Sequence, residues 1–288
     1  MAATGAGQKL AAGLYFISTP IGAARDITLR AIDILGTADV IAAEDTRSLR
    51  HLMDIHGIPV GDRPFLSYHD HNGERMRPRI LAALEEGKSV AYASEAGTPL
   101  VADPGYQLGA SAIAAGHVVT AAPGPSAALA ALTVSGLPSD RFLFAGFAPN
   151  SGGQRRRWLE DLRGIAATLI LYESPKRING LLGDMESVFG GTRRVAVCRE
   201  LTKKFEEITR GTVAELVTAF EGRTVKGEIV VIVDRARETG AGEAEIEAAL
   251  REALTCQSVK DAAASVAELT GAPKREVYQL ALKLAGGN

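Results

Sequence analysis

The sequence predicts an α/β protein of two domains followed by a small helical extension. First, short apolar runs alternate with amphipathic segments from residue 14 to 135, which is the rhythm of strands joined by crossover helices. Second, runs such as 14–17 are apolar throughout. Unbroken apolarity means burial on both faces, and so a mostly parallel sheet between helices. Third, a chain of 288 residues exceeds one packed core at about 100–200 residues per domain.

Strands are expected over 14–19, 40–43, 64–68, 89–94 and 118–122, and helices over 26–36, 46–56, 73–86, 104–115 and 126–135. The Pro, Gly and Ser of "LPSDRFLFAGFAPN" running into "SGGQRRR" suit a linker into a new sheet, which places a boundary near Ser139. Beyond it, strands are expected at 142–144, 168–172, 195–198, 205–209 and 228–233, with helices near 154–162, 176–189 and 213–221. The runs 195–198 and 205–209 are too close for a helical crossover and should pair antiparallel, giving a mixed sheet. After Val233 a polar, glycine-containing link leads to helices at 243–254, 259–269 and 273–284. Ser258 with Asp261 makes an N-cap signature, Gly271 fits the position just past a helix, and Pro273 fits a helix start. Helix, glycine turn, helix is the outline of a helix-turn-helix and equally of any compact helical hairpin. The units expected are therefore an N-terminal α/β domain over 1–138, an α+β domain over 139–236 and a helical extension over 237–288.

Hydrophobic residues make up 46% of the chain and charged ones 23%, the composition of a core-burying globular protein. No window approaches the ~18 apolar residues of a membrane span, and residues 1–9 lack the apolar stretch of a secretory signal. A cytoplasmic protein with no membrane partner is the expectation. Cys198 and Cys256 have no C-x-x-C spacing, which argues against a disulfide framework or zinc cluster; both are expected to be buried, inert thiols. The net charge of −2 is unevenly spread. Residues 147–210 carry 12 Lys and Arg against 8 Asp and Glu, whereas 1–146 carry 11 against 14 and 211–288 carry 9 against 12. A basic middle is either a solvated face or a contact for a polyanion.

Ligands of such sheets bind beyond the carboxyl ends of the strands, so the loops there carry the functional reading. "STPIGAARDIT" (18–28) holds a tight turn, with Asp26 or Thr28 to cap the next helix. Neither G-x-x-x-x-G-K-[ST] nor G-x-G-x-x-G occurs, which counts against a nucleoside triphosphate or a nicotinamide ligand. In "SEAGTPLVADPGY" (94–106) Gly, Pro, acids and small hydroxyl residues crowd together. That describes a shaped loop offering backbone N–H and C=O groups to a small ligand. "APGPSA" (122–127) is a Pro-Gly-Pro turn in which Ser126 is expected to cap the following helix, and it should lie beside the previous loop.

Glu44, Asp45 and Arg47 of "AAEDTRS" can bind or activate a hydroxyl. His69 and His71 of "SYHDHN" would face one way if their strand continued. A His-Asp-His run can mark a metal, yet no third ligand is spaced to complete it, and a helix cap by Asp70 or Asn72 accounts for the same residues. In "LYESPKRI" (171–178), a capping Ser174 and Pro175 at a helix start leave Glu173, Lys176 and Arg177 unexplained. "CRELTKKFEE" and "VKGEIV" likewise put charge at strand ends, as residues lining an inter-domain cleft would.

Taken together, "TPIG", "AAEDTR", "HDHN", "AGTPLVADPGY", "PGPSA", "GLPSDRF", "YESPKR", "RELTK" and "KGE" cover about 14–233 in order. They closely resemble the tetrapyrrole methylase superfamily and, within it, the ribosomal small subunit methyltransferase I family, which methylates a cytidine ribose 2′-hydroxyl of bacterial small-subunit (16S) ribosomal RNA. The tail is similar to the C-terminal extension of many members. The resemblance implies a two-domain class III methyltransferase fold with S-adenosyl-L-methionine in a cleft between the domains. It also implies a homodimer, and small-subunit ribosomal RNA as partner, free or in the assembled subunit. The family's cofactor contacts fall on Pro20, Gly22, Ser94, Ala96, Gly97, Thr98, Asp103, Pro123, Gly124, Ser126, Tyr172, Glu173, Lys226, Gly227 and Glu228. No metal is implied. Glu95 stands where the family usually has Asp.

A ribose hydroxyl is a poor acid and needs a base as it attacks. Asp45 or His69 is the expected base, with Arg47 positioning a phosphate or stabilising developing charge. Substrate RNA is expected to cross the basic block at Arg155, Arg156, Arg157, Lys176 and Arg177, where guanidinium forks can grip phosphates. The competing readings are a methyltransferase for a tetrapyrrole precursor, a non-catalytic RNA-binding protein using the tail helices, and a metal-dependent hydrolase built on His69 and His71.

Overall fold

The computed structural model describes residues 9–236, 243–270 and 272–286; the helix-ending role expected of Gly271 and the link at 237–242 lie outside them. The first half is a five-stranded, all-parallel sheet of β1 (Gly13–Ile17), β2 (Val40–Ala43), β3 (Phe65–Ser67), β4 (Ser89–Ala93) and β5 (Val119–Ala122), in the order β3-β2-β4-β1-β5. Between and after these strands run α1 (Leu29–Thr37), α2 (Thr46–Ile55), α3 (Gly73–Glu85), α4 (Tyr106–Ala114) and α5 (Ala127–Ser135). Every residue of β1, β2 and β4 is buried, because helices cover both faces. Tyr15 and Ile17 of β1 join one core layer and Leu14 and Phe16 the other, the two-residue alternation of a strand. Of the two residues able to cap α1, Thr28 does so, its hydroxyl accepting from Ala31 N.

The second sheet holds β6 (Phe142–Phe147), β7 (Thr168–Glu173), β8 (Arg194–Arg199), β9 (Glu207–Thr212) and β10 (Ile229–Val233), in the order β6-β7-β10-β8-β9. Only β6 and β7 are parallel. β8 and β9 pair antiparallel as their spacing requires, but β9 starts two residues beyond the expected 205. The intervening turn puts Glu200 and Thr202 at φ of 52° and 64° and leaves Phe205 exposed. One face is covered by α6 (Gly152–Arg163), α7 (Ile178–Phe189) and α8 (Val213–Phe220). α8 opens with a reciprocal Thr212–Glu215 capping box. α7 begins two residues after the expected 176, because Ser174 closes a turn, its carbonyl accepting from Arg177 N, instead of capping the helix.

The other face of this second sheet is covered by α5. Ala128, Ala131 and Leu132 pack on Ile170, Ala196, Cys198 and Ile232, so a helix fed by the first sheet supplies the core of the second.

Helices α9 (Glu243–Ala253), α10 (Val259–Thr270) and α11 (Lys274–Gly286) enclose Leu250, Ala263, Val266, Val277 and Ala281. Ser258 caps α10, its hydroxyl accepting from Asp261 N at 3.2 Å, and α11 follows Pro273. Cys198 is buried as expected, but Cys256 is exposed: it lies in the turn after α9, outside the three-helix core. Among the described residues no helix is long and apolar enough to cross a membrane.

Candidate functional site: a cleft between the two sheets

β4 and β5 flank β1, so the loops leaving all three emerge at one edge. Thr19 and Gly97 exchange backbone hydrogen bonds of 2.9 and 3.0 Å. The Thr98 hydroxyl accepts from Ser18 Oγ at 3.2 Å and donates to Pro125 O at 2.9 Å, tying the three loops through one atom. Buried Ser94 donates to Gly97 O at 3.1 Å. A Cβ on Gly124 would stand 2.9 Å from Ser18 Cβ, so the Pro-Gly-Pro corner approaches that closely only as glycine. Leu100 and Ala102 sit at φ of 72° and 62°, a conformation that side chains disfavour and that clusters at binding loops.

From the second half, residues 200–206 press on the first loop. Ala23 N donates to Thr202 Oγ1 at 3.0 Å, and a Cβ on Gly22 would meet Lys203 Cγ at 2.5 Å. Lys203 Nζ bridges Glu200 Oε1 and Glu228 Oε2, both at 2.9 Å. Gly227, at φ of 93°, leaves room for the Glu200 carboxyl.

Between these walls lies a cleft of about 440 Å³. Of the expected cofactor residues, Ala96, Gly97, Thr98, Asp103, Ser126, Tyr172, Glu173, Gly227 and Glu228 line it. Pro20, Gly22, Ser94, Pro123, Gly124 and Lys226 are not among the residues that line it. Ser126 occupies the N-cap position of α5, yet its hydroxyl makes no cap bond, and its side chain remains on the cleft wall.

The two walls differ in chemistry. On the first, burial and then the neighbouring Glu44 and Glu95 push the Asp103 pKa up to about 7, against the opposing hydrogen bond of Ser94. Glu95 is also raised, by burial and then by Glu44 and Asp45; its N–H donates to Glu44 Oε2 at 3.1 Å. An acidic wall of this kind disfavours phosphates and complements a cation. On the second, the Tyr172 ring stands edge-on to Phe144 at 4.9 Å and to Phe147 at 5.5 Å, and burial lifts its hydroxyl to about 12. Cys198, on the same wall, is lifted by burial to about 11 and stays a neutral thiol. Phe147 was not foreseen: it follows a bulge in β6 between Phe144 and Gly146, and Gly146 in "FAGF" was the available signal.

Asp45, Arg47 and His69 lie outside the residues lining the cleft, whereas Glu44 is among them. Asp45 caps α2, accepting from Arg47 N at 2.7 Å and Ser48 N at 3.3 Å; the Arg47 bond above all holds its carboxyl below the usual range. β3 stops at Ser67, so the two histidines lie in a turn rather than on a strand, their ring centroids 6.0 Å apart. Asn72 braces that turn, accepting from His69 N and donating to Ser67 O, and His69 Nδ1 is buried without a partner. Among the described residues no group of three His, Cys, Asp or Glu can hold a metal ion.

Two of the five cations expected to meet RNA are committed elsewhere. Arg155 is buried, with Nε 2.7 Å from Asp184 Oδ2; it falls on the α6 face of Leu159 and Leu162, at the spacing of a buried helix stripe. Arg177 pairs with the buried Glu173. Arg157 and Lys176 are exposed, and Arg156 is half exposed while bonding Asp184 Oδ1 at 3.1 Å.

The family model of tetrapyrrole (corrin/porphyrin) methylases matches residues 13–217, and that of the RsmI C-terminal HTH domain matches 240–285. A ribosomal RNA small subunit methyltransferase I of Mesorhizobium japonicum is 48% identical over 278 residues, covering 96% of this chain and 94% of the relative. One from Halalkalibacterium halodurans is 43% identical, covering 93% of each. A uroporphyrin-III-C-methyltransferase structure from Thermus thermophilus superposes with a TM-score of 0.55 at 20% identity, over 78% of this chain and 95% of that one; this is a likeness of fold.

Proposed function

We propose that this chain, which belongs to the tetrapyrrole methylase family, is an S-adenosylmethionine-dependent methyltransferase that modifies the 2′-hydroxyl of a cytidine ribose in small-subunit ribosomal RNA. The observation that carries this reading is the meeting of the loops after β1, β4 and β5 with the ends of β7 and β10 around one cleft. The residues fit the donor: carboxylates line both sides of the cleft, the rings of Tyr172 and Phe147 stand on the second, and neither common phosphate-cradling motif occurs in the chain. When bound, S-adenosylmethionine supplies an electrophilic methyl carbon on a sulfonium centre.

The chain's own residues do the rest. Backbone groups of Ala96, Thr98 and Gly227, with the free Ser126 hydroxyl, hold the ligand in place, and Glu44, Glu95, Asp103 and Glu228 set negative charge along the cleft. Ile21 and Leu201 narrow it with apolar surface and exclude water. Alignment of the reacting atoms within ~3–3.5 Å is the main catalytic contribution. General-base help, typically ~10²–10⁴-fold, falls to Asp45 or His69, with Arg47, 92% exposed at the start of α2, available to a phosphate. Arg156, Arg157 and Lys176 form the phosphate-contacting face, and the three C-terminal helices add a second RNA contact. The protein acts in the cytoplasm as a homodimer.

The deciding experiment is mass-spectrometric mapping of ribose methylation in small-subunit RNA from cells with and without this chain. It is paired with the purified protein acting on naked RNA and on assembled subunits. Loss of one 2′-O-methylcytidine on deletion supports the assignment, and an unchanged map refutes it. Turnover of a porphyrinoid instead would favour a tetrapyrrole substrate, and no rise in melting temperature with S-adenosylmethionine would favour a binding protein. Single-turnover rates of Asp45→Asn, His69→Ala and Arg47→Ala locate the base; near-normal rates in all three discard both candidates.

A further inference from the structure

The turn joining β8 to β9 is braced along its length, yet it holds an aromatic ring out to solvent. Glu200 N donates to Glu228 O and Lys203 N to Glu200 O, both at 3.0 Å, and Glu206 N donates to Lys203 O at 3.1 Å. Thr202 N donates to Glu206 Oε2 at 2.6 Å, and the Thr202 hydroxyl accepts from Ala23 N. Glu200 and Thr202 keep φ of 52° and 64°, which side chains disfavour, because these bonds over-determine the backbone around them. Phe205, inside the brace, is 64% exposed and joins no hydrophobic core cluster of the described residues. A single exposed apolar side chain is ordinary on a protein surface; this one is set apart by its surroundings.

The acids of the turn are all engaged. Glu200 and Glu228 share Lys203, Glu206 is turned onto Thr202 N, and Glu207 pairs with Arg199 and Arg223. Exposed Lys204 has no carboxylate partner among the described residues, and its Nζ lies 5.5 Å from the centre of the Phe205 ring. A flat ring beside an unpaired cation matches single-stranded RNA, in which every base offers a face to stack and every nucleotide carries a phosphate. The turn also starts at the cleft, on Leu201, and four residues of chain reach at most about 14 Å. A ribose 2′-hydroxyl can enter a cleft only from a strand that is unpaired there, which leaves the bases beside it with uncovered faces. We propose that Phe205 is a stacking platform for an unpaired base of the substrate RNA, flanking the nucleotide whose ribose enters the cleft, with Lys204 on a neighbouring phosphate. The inference rests on the ribosomal RNA methyltransferase reading and adds to the cations of α6 a contact that recognises a base.

The test measures affinity for small-subunit ribosomal RNA, free and in assembled subunits, from cells lacking this chain, together with calorimetric binding of S-adenosylhomocysteine. Wild-type protein that binds S-adenosylhomocysteine but neither binds nor methylates either form of the RNA refutes the ribosomal RNA reading, and the inference with it. Where the wild type does bind, Phe205→Leu isolates the stack, because leucine keeps an apolar side chain and loses the flat face. Loss of one stacked base predicts about 5- to 150-fold weaker RNA binding in Phe205→Leu and Phe205→Ala, with Phe205→Trp as tight as wild type. Lys204→Gln should lower the slope of log affinity against log salt by about 1. The S-adenosylhomocysteine affinity and the melting temperature should be unchanged in all these variants, since neither side chain lines the cleft or packs in a core.

RNA affinity within twofold of wild type in Phe205→Leu overturns the proposal, as does Phe205→Trp binding as weakly as Phe205→Ala. So does a Phe205→Ala protein that sediments as a smaller species with RNA affinity intact, which would assign the ring to a second copy of the chain. An unchanged salt slope in Lys204→Gln overturns the phosphate contact. Should Phe205→Ala melt early, Phe205→Leu and Phe205→Trp, which conserve bulk, decide the question.

Discussion

Replacing Asp103 by Asn removes a proton-binding site from the cleft wall while nearly conserving its shape. In the folded protein this carboxyl titrates at about 7, against 3.8 for an ordinary aspartate, chiefly because of burial and secondarily because of Glu44 and Glu95. Between those two pH values the native state binds more protons than the unfolded state, so stability is lost as pH rises from about 4 to about 7. At 1.36 kcal/mol per factor of ten the full difference is roughly 4 kcal/mol, and partial exposure reduces it to about 2–3 kcal/mol.

Only about 60% of that difference titrates between pH 5 and pH 8, so at about 2–4 °C per kcal/mol for a chain of this size the wild-type melting temperature should fall about 3–7 °C further than that of Asp103→Asn over that interval. A cation in the cleft favours the ionised carboxylate, so S-adenosylmethionine binding near pH 6.5 should release a proton. Calorimetry in two buffers of different ionisation heat measures that release, and the Asn variant should lack it. Identical pH slopes and identical proton release in the two proteins would refute this account of Asp103.

The remaining predictions concern neighbouring parts of the same frame. Arg155→Met leaves the buried Asp184 with only the half-exposed Arg156 and should destabilise by about 3 kcal/mol in thermal melts; pairing it with Asp184→Leu should recover most of the loss. Gly22→Ala forces a Cβ to within 2.5 Å of Lys203 Cγ and should cost about 1–3 kcal/mol in urea unfolding; an effect near zero would mean that the two loops part freely. Arg156→Gln with Arg157→Gln should lower the slope of log affinity against log salt for RNA by about 1–2, and an unchanged slope would remove α6 from the RNA face. Asp45→Ala should lose about 1 kcal/mol with the α2 cap, whereas Asp45→Asn, a good cap, should keep that stability. Any rate lost in the Asn variant then belongs to chemistry rather than folding.

Much of this molecule is legible from local pattern. The apolar runs of β1, β2 and β4 read as strands buried on both faces because both faces are covered. Thr28, Thr212 and Ser258 cap helices as short polar side chains before apolar periodic segments do. The loop at 94–106 was recognisable because its Gly and Pro content is incompatible with a regular element, and the cleft is built around it.

Other features have no local signal, since they depend on what arrives from elsewhere in the chain. Arg155 and Arg156 are adjacent and chemically alike, yet one is buried on Asp184 and the other reaches solvent, because a helix turns 100° per residue. Ser126 has the sequence of a cap and is left to the cleft. Arg177 stands in a basic run, yet its guanidinium is taken by Glu173 four positions back and by Asn150 and Ala148, 27 and 29 positions back. Element type and loop shape follow from neighbours a few residues apart, where backbone geometry and periodicity act. Which charge is consumed, which hydroxyl stays free and which helix serves which sheet depend largely on partners far along the chain, 29 positions apart for Arg155 and Asp184 and 179 for Ala23 and Thr202, which meet only in the folded protein.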